Sequence, residues 1–369
     1  MLLTEDQVIE RLDGATRVVL LEPKYRRKYP PIGLAKIAAY LRQRGTPFEF
    51  TRSFEGQPCD LVCVTSLFTT DLGDVLSAVH RVQHFAPDTE VMLGGICASL
   101  FSGKLSKRFN VFHGYSTRLD RYVPDYETDW GIESPWDEFS YTFTTRGCPN
   151  HCTYCAVKRI ECEPWVNPGW REHVFVPGKP CAMVSDNNLS AAPEAHRNEL
   201  LEALAASGKG VVFDNGFDCK LIDDDMAGRL ARIKYVRAGL RIAFDRIEED
   251  GVFQDSIRRL VAAGAKPTDV TSYVLYNFTD TPREAGYRMR ECANLKIRPY
   301  PQQFIPLNAK SRTPPHIGKH WTRRLLKAFR YFWLMPGIYT KHDFATWPDL
   351  DDPEGQYCLG DEDRAALAE

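Results

Sequence analysis

Three cysteines, Cys148, Cys152 and Cys155, stand in the string TTRGCPNHCTYC. Their Cys-x3-Cys-x2-Cys spacing supplies one thiolate fewer than a four-cysteine cluster or a closed zinc site needs. A [4Fe-4S] cluster held by three thiolates keeps one iron open to a small molecule, whereas four-cysteine ligation gives an electron carrier with no substrate position. With 11 Cys in 369 residues, chance placement would produce this spacing in about one chain in a hundred, so the triplet is read as a ligand set. Zinc is the alternative, because His151 could complete a Cys3His set. Against it, Cys148, His151, Cys152 and Cys155 crowd into eight residues, while structural zinc usually draws ligand pairs from separated turns.

An aromatic residue, Tyr154, directly precedes the last cysteine. With the spacing, it resembles the signature of the radical S-adenosylmethionine (SAM) superfamily. The resemblance implies that the amine and carboxylate of SAM chelate the open iron and that an electron breaks the sulfonium bond to C5′. The 5′-deoxyadenosyl radical so formed then takes hydrogen from a substrate that the sequence does not identify. A reductant such as flavodoxin or ferredoxin is implied as partner.

SAM also needs an acceptor for its amine, a partner for its carboxylate and a surface for adenine. Asp186 and Asn187 follow a predicted strand at a position where superfamily members often carry Gly-Gly-Glu. This chain departs from that pattern, yet a carboxylate or amide oxygen there can accept from the methionyl amine. The same Asp-Asn-Asn string is also an ordinary turn sequence. Asn215 and Asp218 end the next strand, and Arg241 and Asp245 flank the one after. Arg241 suits the SAM carboxylate as a two-pronged donor, or an internal ion pair with Asp218 or Asp245. Pro306, in Phe304-Ile305-Pro306-Leu307, resembles the apolar turn on which such enzymes seat adenine. No catalytic side chain is assigned.

These groups meet only if several strands end at one rim. From Phe139 the strand candidates are FSYTFTT, CAMVSD, GVVFDNGF, LRIAFD, VTSYVLYNF and IRPYPQQFI, with helical stretches between most of them. Met226, Leu230 and Ile233 share a helical face, as do Phe253, Ile257, Leu260 and Val261, with Gly264 as the stop. Thr281, Pro282 and Glu284 spell a helix start. Six such units predict a partial (β/α)6 TIM-type barrel over residues 139–308, whose ligands sit at the C-terminal strand ends. The triplet follows the first of these strands directly. Residues 156–180 read as a long loop that shields the cluster or contacts substrate.

Ahead of it, residues 1–115 alternate strand and helix from Arg17. Leu34, Ile37, Ala38 and Leu41 form one apolar stripe, closed by Gly45, and Val75, Leu76, Val79 and Val82 form another. The expected class is α/β, a doubly wound, Rossmann-like domain. PPIGLAKIAAYLRQRG and VMLGGICASL resemble the cobalamin-binding-like domain that precedes the barrel in one radical SAM subgroup. Only FEGQPC separates the strands PFEFTRS and DLVCVTS, too short for a helical crossover, so the domain is expected to be trimmed or rearranged. The reading here is a sheet retained without the corrin, with a cobalamin-dependent methyltransferase as the alternative. Residues 116–138 read as a linker, and 309–369 as a helical extension with an acidic, mobile tail. In the extension, Trp321, Leu325, Ala328, Phe329 and Phe332 oppose Lys319, Arg323, Arg324, Lys327 and Arg330. That pattern suits a packed helix with a solvated cationic face, and leaves a nucleic acid or nucleotide open as partner.

Composition bounds the rest. The balance of 47 basic and 49 acidic residues gives no global nucleic-acid or membrane footprint. MLLTEDQVIE lacks the basic and apolar run of a signal peptide, and no run of eighteen apolar residues predicts a membrane span, so a cytoplasmic location is expected. Cys59, Cys63, Cys97, Cys162, Cys181, Cys219, Cys292 and Cys358 read as reduced core residues, with an auxiliary cluster at Cys162 and Cys181 as the alternative. A non-catalytic iron-sulfur or zinc sensor is the reading from a different functional class.

Overall fold

The apolar runs near the N-terminus form a six-stranded parallel sheet. In chain order its elements are β1 (Leu2–Leu3), α1 (Glu5–Gly14), β2 (Val18–Leu21), α2 (Ile32–Arg44), β3 (Phe48–Thr51), β4 (Leu61–Thr65), α3 (Leu72–Phe85), β5 (Glu90–Gly94), α4 (Gly95–Leu100), α5 (Ser102–Leu105) and β6 (Asn110–Phe112). The computed structural model describes residues 1–23, 29–161, 163–347, 357 and 359–368. It divides into two compact units, Met1–Ser185 with Pro306–Pro314 and Asp186–Ile305 with Pro315–Glu369. Both are mixed α/β with parallel strands.

In the first unit the sheet order is β1-β6-β5-β4-β2-β3. Strand residues alternate between two cores: Val18, Leu20, Leu61 and Cys63 pack with Val8, Leu12, Leu34 and Leu41 of α1 and α2. Val19, Leu21, Val62 and Val64 pack with Val75, Val79, Val82 and Cys97 of α3 and α4. Coverage of both faces is why these strands read as unbroken apolar runs. Gly45 ends α2 at φ 71°, as its position after the stripe predicts.

Ahead of Arg17, where the predicted alternation starts, lie two further elements, β1 and α1, and Thr4 and Gln7 form a capping box before the buried Val8 and Leu12. The short link after β3 is accommodated by strand order. β2 lies between β3 and β4, and residues 52–60 cross over it without a helix. Phe54, 1% exposed, fills the place of the missing helix in the α3-side core, and Arg81 Nε holds its carbonyl.

Residues 116–138 are laid over α2. Trp130 is buried in the α1/α2 core, and its indole donates to Asp125 O at 2.7 Å. Asp125 N in turn donates to Ala35 O at 2.9 Å. This path leads into β7 (Phe139–Thr142), β8 (Thr145–Arg146), α6 (Val157–Ile160), β9 (Trp165–Val166), α7 (Trp170–Val174) and β10 (Cys181–Val184). β7 and β10 are parallel, and β8 pairs antiparallel with β9. The stretch 156–180 is therefore not a featureless loop: it carries α6, β9 and α7, and buries Trp170, His173 and Val174.

The second unit contains α8 (Glu194–Ser207), β11 (Gly210–Phe213), β12 (Phe217–Asp218), α9 (Asp224–Ala231), β13 (Leu240–Ala243), α10 (Val252–Ala262), β14 (Val270–Tyr276), α11 (Pro282–Asn294), β15 (Arg298–Gln303), α12 (Arg323–Leu334), α13 (Pro336–Tyr339) and α14 (Asp361–Ala368). β12 to β15 form a parallel sheet in sequence order. Pro299 and Pro301 are tolerated because β15 is its edge strand. Thr281 and Glu284 form the expected capping box on α11. Val261, read into the buried face of α10, is 43% exposed, since that face is completed by Phe253, Ile257 and Leu260 alone.

The C-terminal residues expected as a mobile tail include an ordered helix. Asp363 of α14 is buried, accepts from Thr322 Oγ1 and from Gly360 N at 2.8 Å, and so docks α14 at the start of α12. Among the described residues no helix is long and apolar enough to cross a membrane.

Candidate functional site

The cysteine triplet lies on the excursion between β8 and β9 in the first unit. All three cysteines are half-buried thiols, and His151 is exposed. Cys155 N donates to Cys152 O at 3.1 Å, which turns the chain tightly between these two residues. Cys63, Cys97, Cys219 and Cys292 are different in kind. They are buried in the cores, and burial pushes each thiol up to about 12, which suits inert packing residues. Cys162 and Cys358 lie outside the described residues.

The base of the excursion is locked in three ways. Thr145 pairs with Val166 and Arg146 with Trp165 in the β8/β9 ladder. Glu161, just past α6, takes Arg146 NH1 on Oε1 at 3.0 Å and Gly147 N on Oε2 at 2.8 Å. Gly147 itself sits at φ 81°, and a Cβ there would lie 3.1 Å from Glu163 O and 3.2 Å from Pro164 Cα. Only glycine meets both demands, so the residue that starts the triplet leaves a fixed point.

A buried ionic chain continues inward from Arg146. Its Nε reaches Asp120 Oδ2 at 2.7 Å, and Lys36 Nζ reaches Asp120 Oδ1 at 2.5 Å. The guanidinium also lies over the Phe143 ring, 3.7 Å from its centroid. Burial acts to raise the Asp120 carboxyl, but the Arg146 and Lys36 cations outweigh it and hold it well below the usual carboxylate range. With every member paired, the chain escapes the penalty of an isolated buried charge. It ties helix α2 of the sheet, the 116–138 connector and the entry and exit of the cysteine excursion into one unit. Asn167 reinforces it, donating Nδ2 to Asp120 O at 3.0 Å.

None of Lys36, Asp120, Arg146 and Glu161 was singled out from the sequence. Lys36 carries a usable signal, a lone charge in PPIGLAKIAAYL among apolar neighbours. A cation placed there is buried and must find an anion.

The other sequence candidates divide between the units. Tyr154 and Pro306 belong to the first, where Tyr154 is half-buried beside Cys155 and Pro306 O accepts from Ala309 N at 2.9 Å. Asp186, Asn187, Asn215 and Arg241 belong to the second. Within it, Asn215 Nδ2 reaches Asp186 O at 3.3 Å, so two candidates from different strand ends meet. Asn188 does the turn work of the Asp-Asn-Asn string, accepting from Ala191 N at 3.3 Å and from Ser190 Oγ at 2.6 Å. Arg241 NH1 is engaged by Asp214, through its carbonyl at 2.7 Å and its carboxylate. The ion-pair reading of Arg241 thus has a partner that differs from those proposed, Asp218 and Asp245. Asp218 binds Lys220 at 3.1 Å, and Asp245 Oδ1 accepts from Leu275 N at 3.2 Å.

Among the described residues, no three or more His, Cys, Asp or Glu side chains are gathered as a set that could hold a metal ion. In a [4Fe-4S] cluster each thiolate binds its own iron, so its donors need not meet at one point. No family model matches this chain, and no curated protein matches it.

Proposed function

We propose that this chain is a radical SAM enzyme, with a [4Fe-4S] cluster held by Cys148, Cys152 and Cys155, that begins a hydrogen abstraction on a substrate of unassigned identity. The observation that carries this reading is a trio of thiols on one excursion whose two ends are bound together by Arg146, Gly147 and Glu161. When bound, such a cluster supplies the electron that cleaves SAM reductively to methionine and the 5′-deoxyadenosyl radical.

The chain's own residues have distinct parts in this proposal. The three thiolates would hold the cluster and leave one iron for the methionyl amine and carboxylate. Gly147 and Glu161 fix where the first thiolate begins, and the half-buried setting of all three limits access of water. Within the same unit as the thiolates, Pro306 would give adenine an apolar surface. Arg241 keeps its guanidinium on Asp214 and is assigned to structure. In this reading the first sheet is a Rossmann-like, doubly wound domain. It is supported by the parallel order and by helices on both faces. The strands from β7 onward are read as a partial barrel, supported by the parallel pairs β7/β10 and β12 to β15. The buried link from Lys36 to Arg146 gives the sheet domain a role that needs no corrin, namely to anchor the cysteine excursion.

The test is anaerobic reconstitution with iron and sulfide, followed by dithionite and SAM. Release of 5′-deoxyadenosine, abolished by Cys148→Ser, is the expected result. Added S-adenosylhomocysteine would indicate methyl transfer, and a protein that binds iron yet forms neither product would overturn the proposal in favour of a sensor.

A further inference from the structure

We propose that the groove along α12 in the second unit is a binding site for a nucleoside diphosphate, independent of the cysteine chemistry. The groove encloses about 520 Å³ and is lined by Arg323, Lys327, Arg330, Tyr331, Tyr357 and Gln303 among others. That is the size of a small-ligand site rather than a track for a polymer.

Its charge is one-sided among the described residues. Arg323, Lys327 and Arg330 recur at four and three residues along α12, so they rise on one face at intervals of about 6 and 4.5 Å. Leu325, Ala328, Phe329 and Phe332 occupy the opposite, buried face. Among the described residues, none of the three cations has a carboxylate partner and no acidic residue lines the groove. Neighbouring Arg324, by contrast, faces Asp363 at 4.0 Å. Three cations answer the roughly three negative charges of a diphosphate, and two of them are arginines, whose planar forks match phosphate oxygens in pairs.

The aromatic half of the site lies beside the cations. Tyr331 is 38% exposed and stacks on Tyr357 with centroids 4.6 Å apart and planes at 18°. Trp347 stacks on Tyr331 from 5.9 Å, and Lys327 Nζ stands 5.0 Å from the centre of the Tyr357 ring. A base can extend such a stack, because any base presents a π-face. The Gln303 side chain, which accepts from Tyr276 OH at 3.4 Å, brings an amide to the same wall. SAM is itself a sulfonium cation without phosphate, so these charges do not describe a SAM site.

Calorimetric titration of the full chain with ADP, adenosine, pyrophosphate and a 12-nucleotide single-stranded DNA tests this. The expected result is one saturable ADP site, with adenosine and pyrophosphate each roughly ten-fold weaker or more. Lys327→Ala and Arg330→Ala should each weaken ADP by about ten-fold, and Tyr331→Leu should weaken ADP while leaving pyrophosphate unchanged. Cys148→Ser should not alter ADP affinity, so failure here and failure of the radical SAM reading are separable. Pyrophosphate binding as tightly as ADP, DNA binding more tightly than ADP, no saturable ADP binding, or ADP binding undiminished in the Lys327→Ala/Arg330→Ala double variant would each overturn the proposal.

Discussion

The backbone amide of Gly147 donates to Glu161 Oε2 at 2.8 Å, so the residue before Cys148 is held by the residue six positions after Cys155. The other oxygen of the same carboxylate takes Arg146 at 3.0 Å. One side chain therefore fixes both the backbone and the charge at the mouth of the excursion.

Glu161→Ala should consequently damage both stability and iron retention. It leaves Arg146, nearly buried at 11% side-chain exposure, with half its pairing, and breaking such a pair costs about 3–5 kcal/mol. Glu161→Gln keeps an oxygen for the Gly147 amide but loses the charge, and should fall between wild type and alanine. Thermal unfolding and iron per chain after desalting read the two effects. Equal iron retention in all three proteins would show that this clamp does not position the thiols.

Gly147→Ala should lower cluster uptake for a different reason. The substitution imposes both a left-handed backbone at φ 81° and a Cβ 3.1 Å from a carbonyl oxygen, a strain of about 1–3 kcal/mol. Gly178 is the control, since it has φ 76° with nothing within 4 Å of the added atom. Gly178→Ala should cost only about 1 kcal/mol and leave the iron content intact, and the difference between the two isolates the steric contact at Gly147.

These two residues also mark what was legible in the sequence. The apolar stripes of α2 and α3, the Gly45 stop and the Thr281 capping box follow from local periodicity and capping, and the structure has them. Glu161 and Asp120 became important only through Arg146, 15 and 26 residues away from them, and no local pattern encodes such a meeting. The order inside 156–180 was hidden for a related reason. Its pieces are four, two and five residues long, shorter than any period needs to declare itself. The position of Phe54 depends on which strand separates β3 from β4, a property of sheet order rather than of composition.

Arg241 offers a test of structure against ligand binding. Its NH1 contacts both the carbonyl and the carboxylate of Asp214, and its guanidinium stands 5.4 Å from the centre of the Tyr273 ring. Asp214→Asn preserves the carbonyl contact and should cost about 1 kcal/mol, whereas Arg241→Ala removes the whole arrangement and should cost about 2–3 kcal/mol. Denaturant unfolding measures both. If Arg241 were instead a SAM ligand, Arg241→Ala would raise the KM for SAM in the 5′-deoxyadenosine assay by ten-fold or more with little change in stability.

His173 should make the fold sensitive to mild acid. The imidazole is fully buried, with Nε2 3.2 Å from Arg121 O and Nδ1 without a hydrogen-bond partner. The neutral tautomer with Nε2–H donating to the carbonyl satisfies this geometry. Burial, helped by the Lys36 ammonium, pushes its pKa down to about 4. The unfolded chain, with a histidine pKa near 6.5, then binds more protons than the folded one between those values. Stability is therefore full above about pH 6.5 and falls as the pH drops toward 4, by roughly 3 kcal/mol from this group. Asp120 acts in a lower window: its depressed carboxyl contributes stability above the ordinary carboxylate pKa of about 3.9, and loses it only as the pH falls below that. His173→Gln can keep a donor for Arg121 O without a titrating ring. It should flatten the decline between pH 6.5 and 4 while leaving the steeper loss at lower pH, and an unchanged slope between 6.5 and 4 would assign the mild-acid sensitivity to another group.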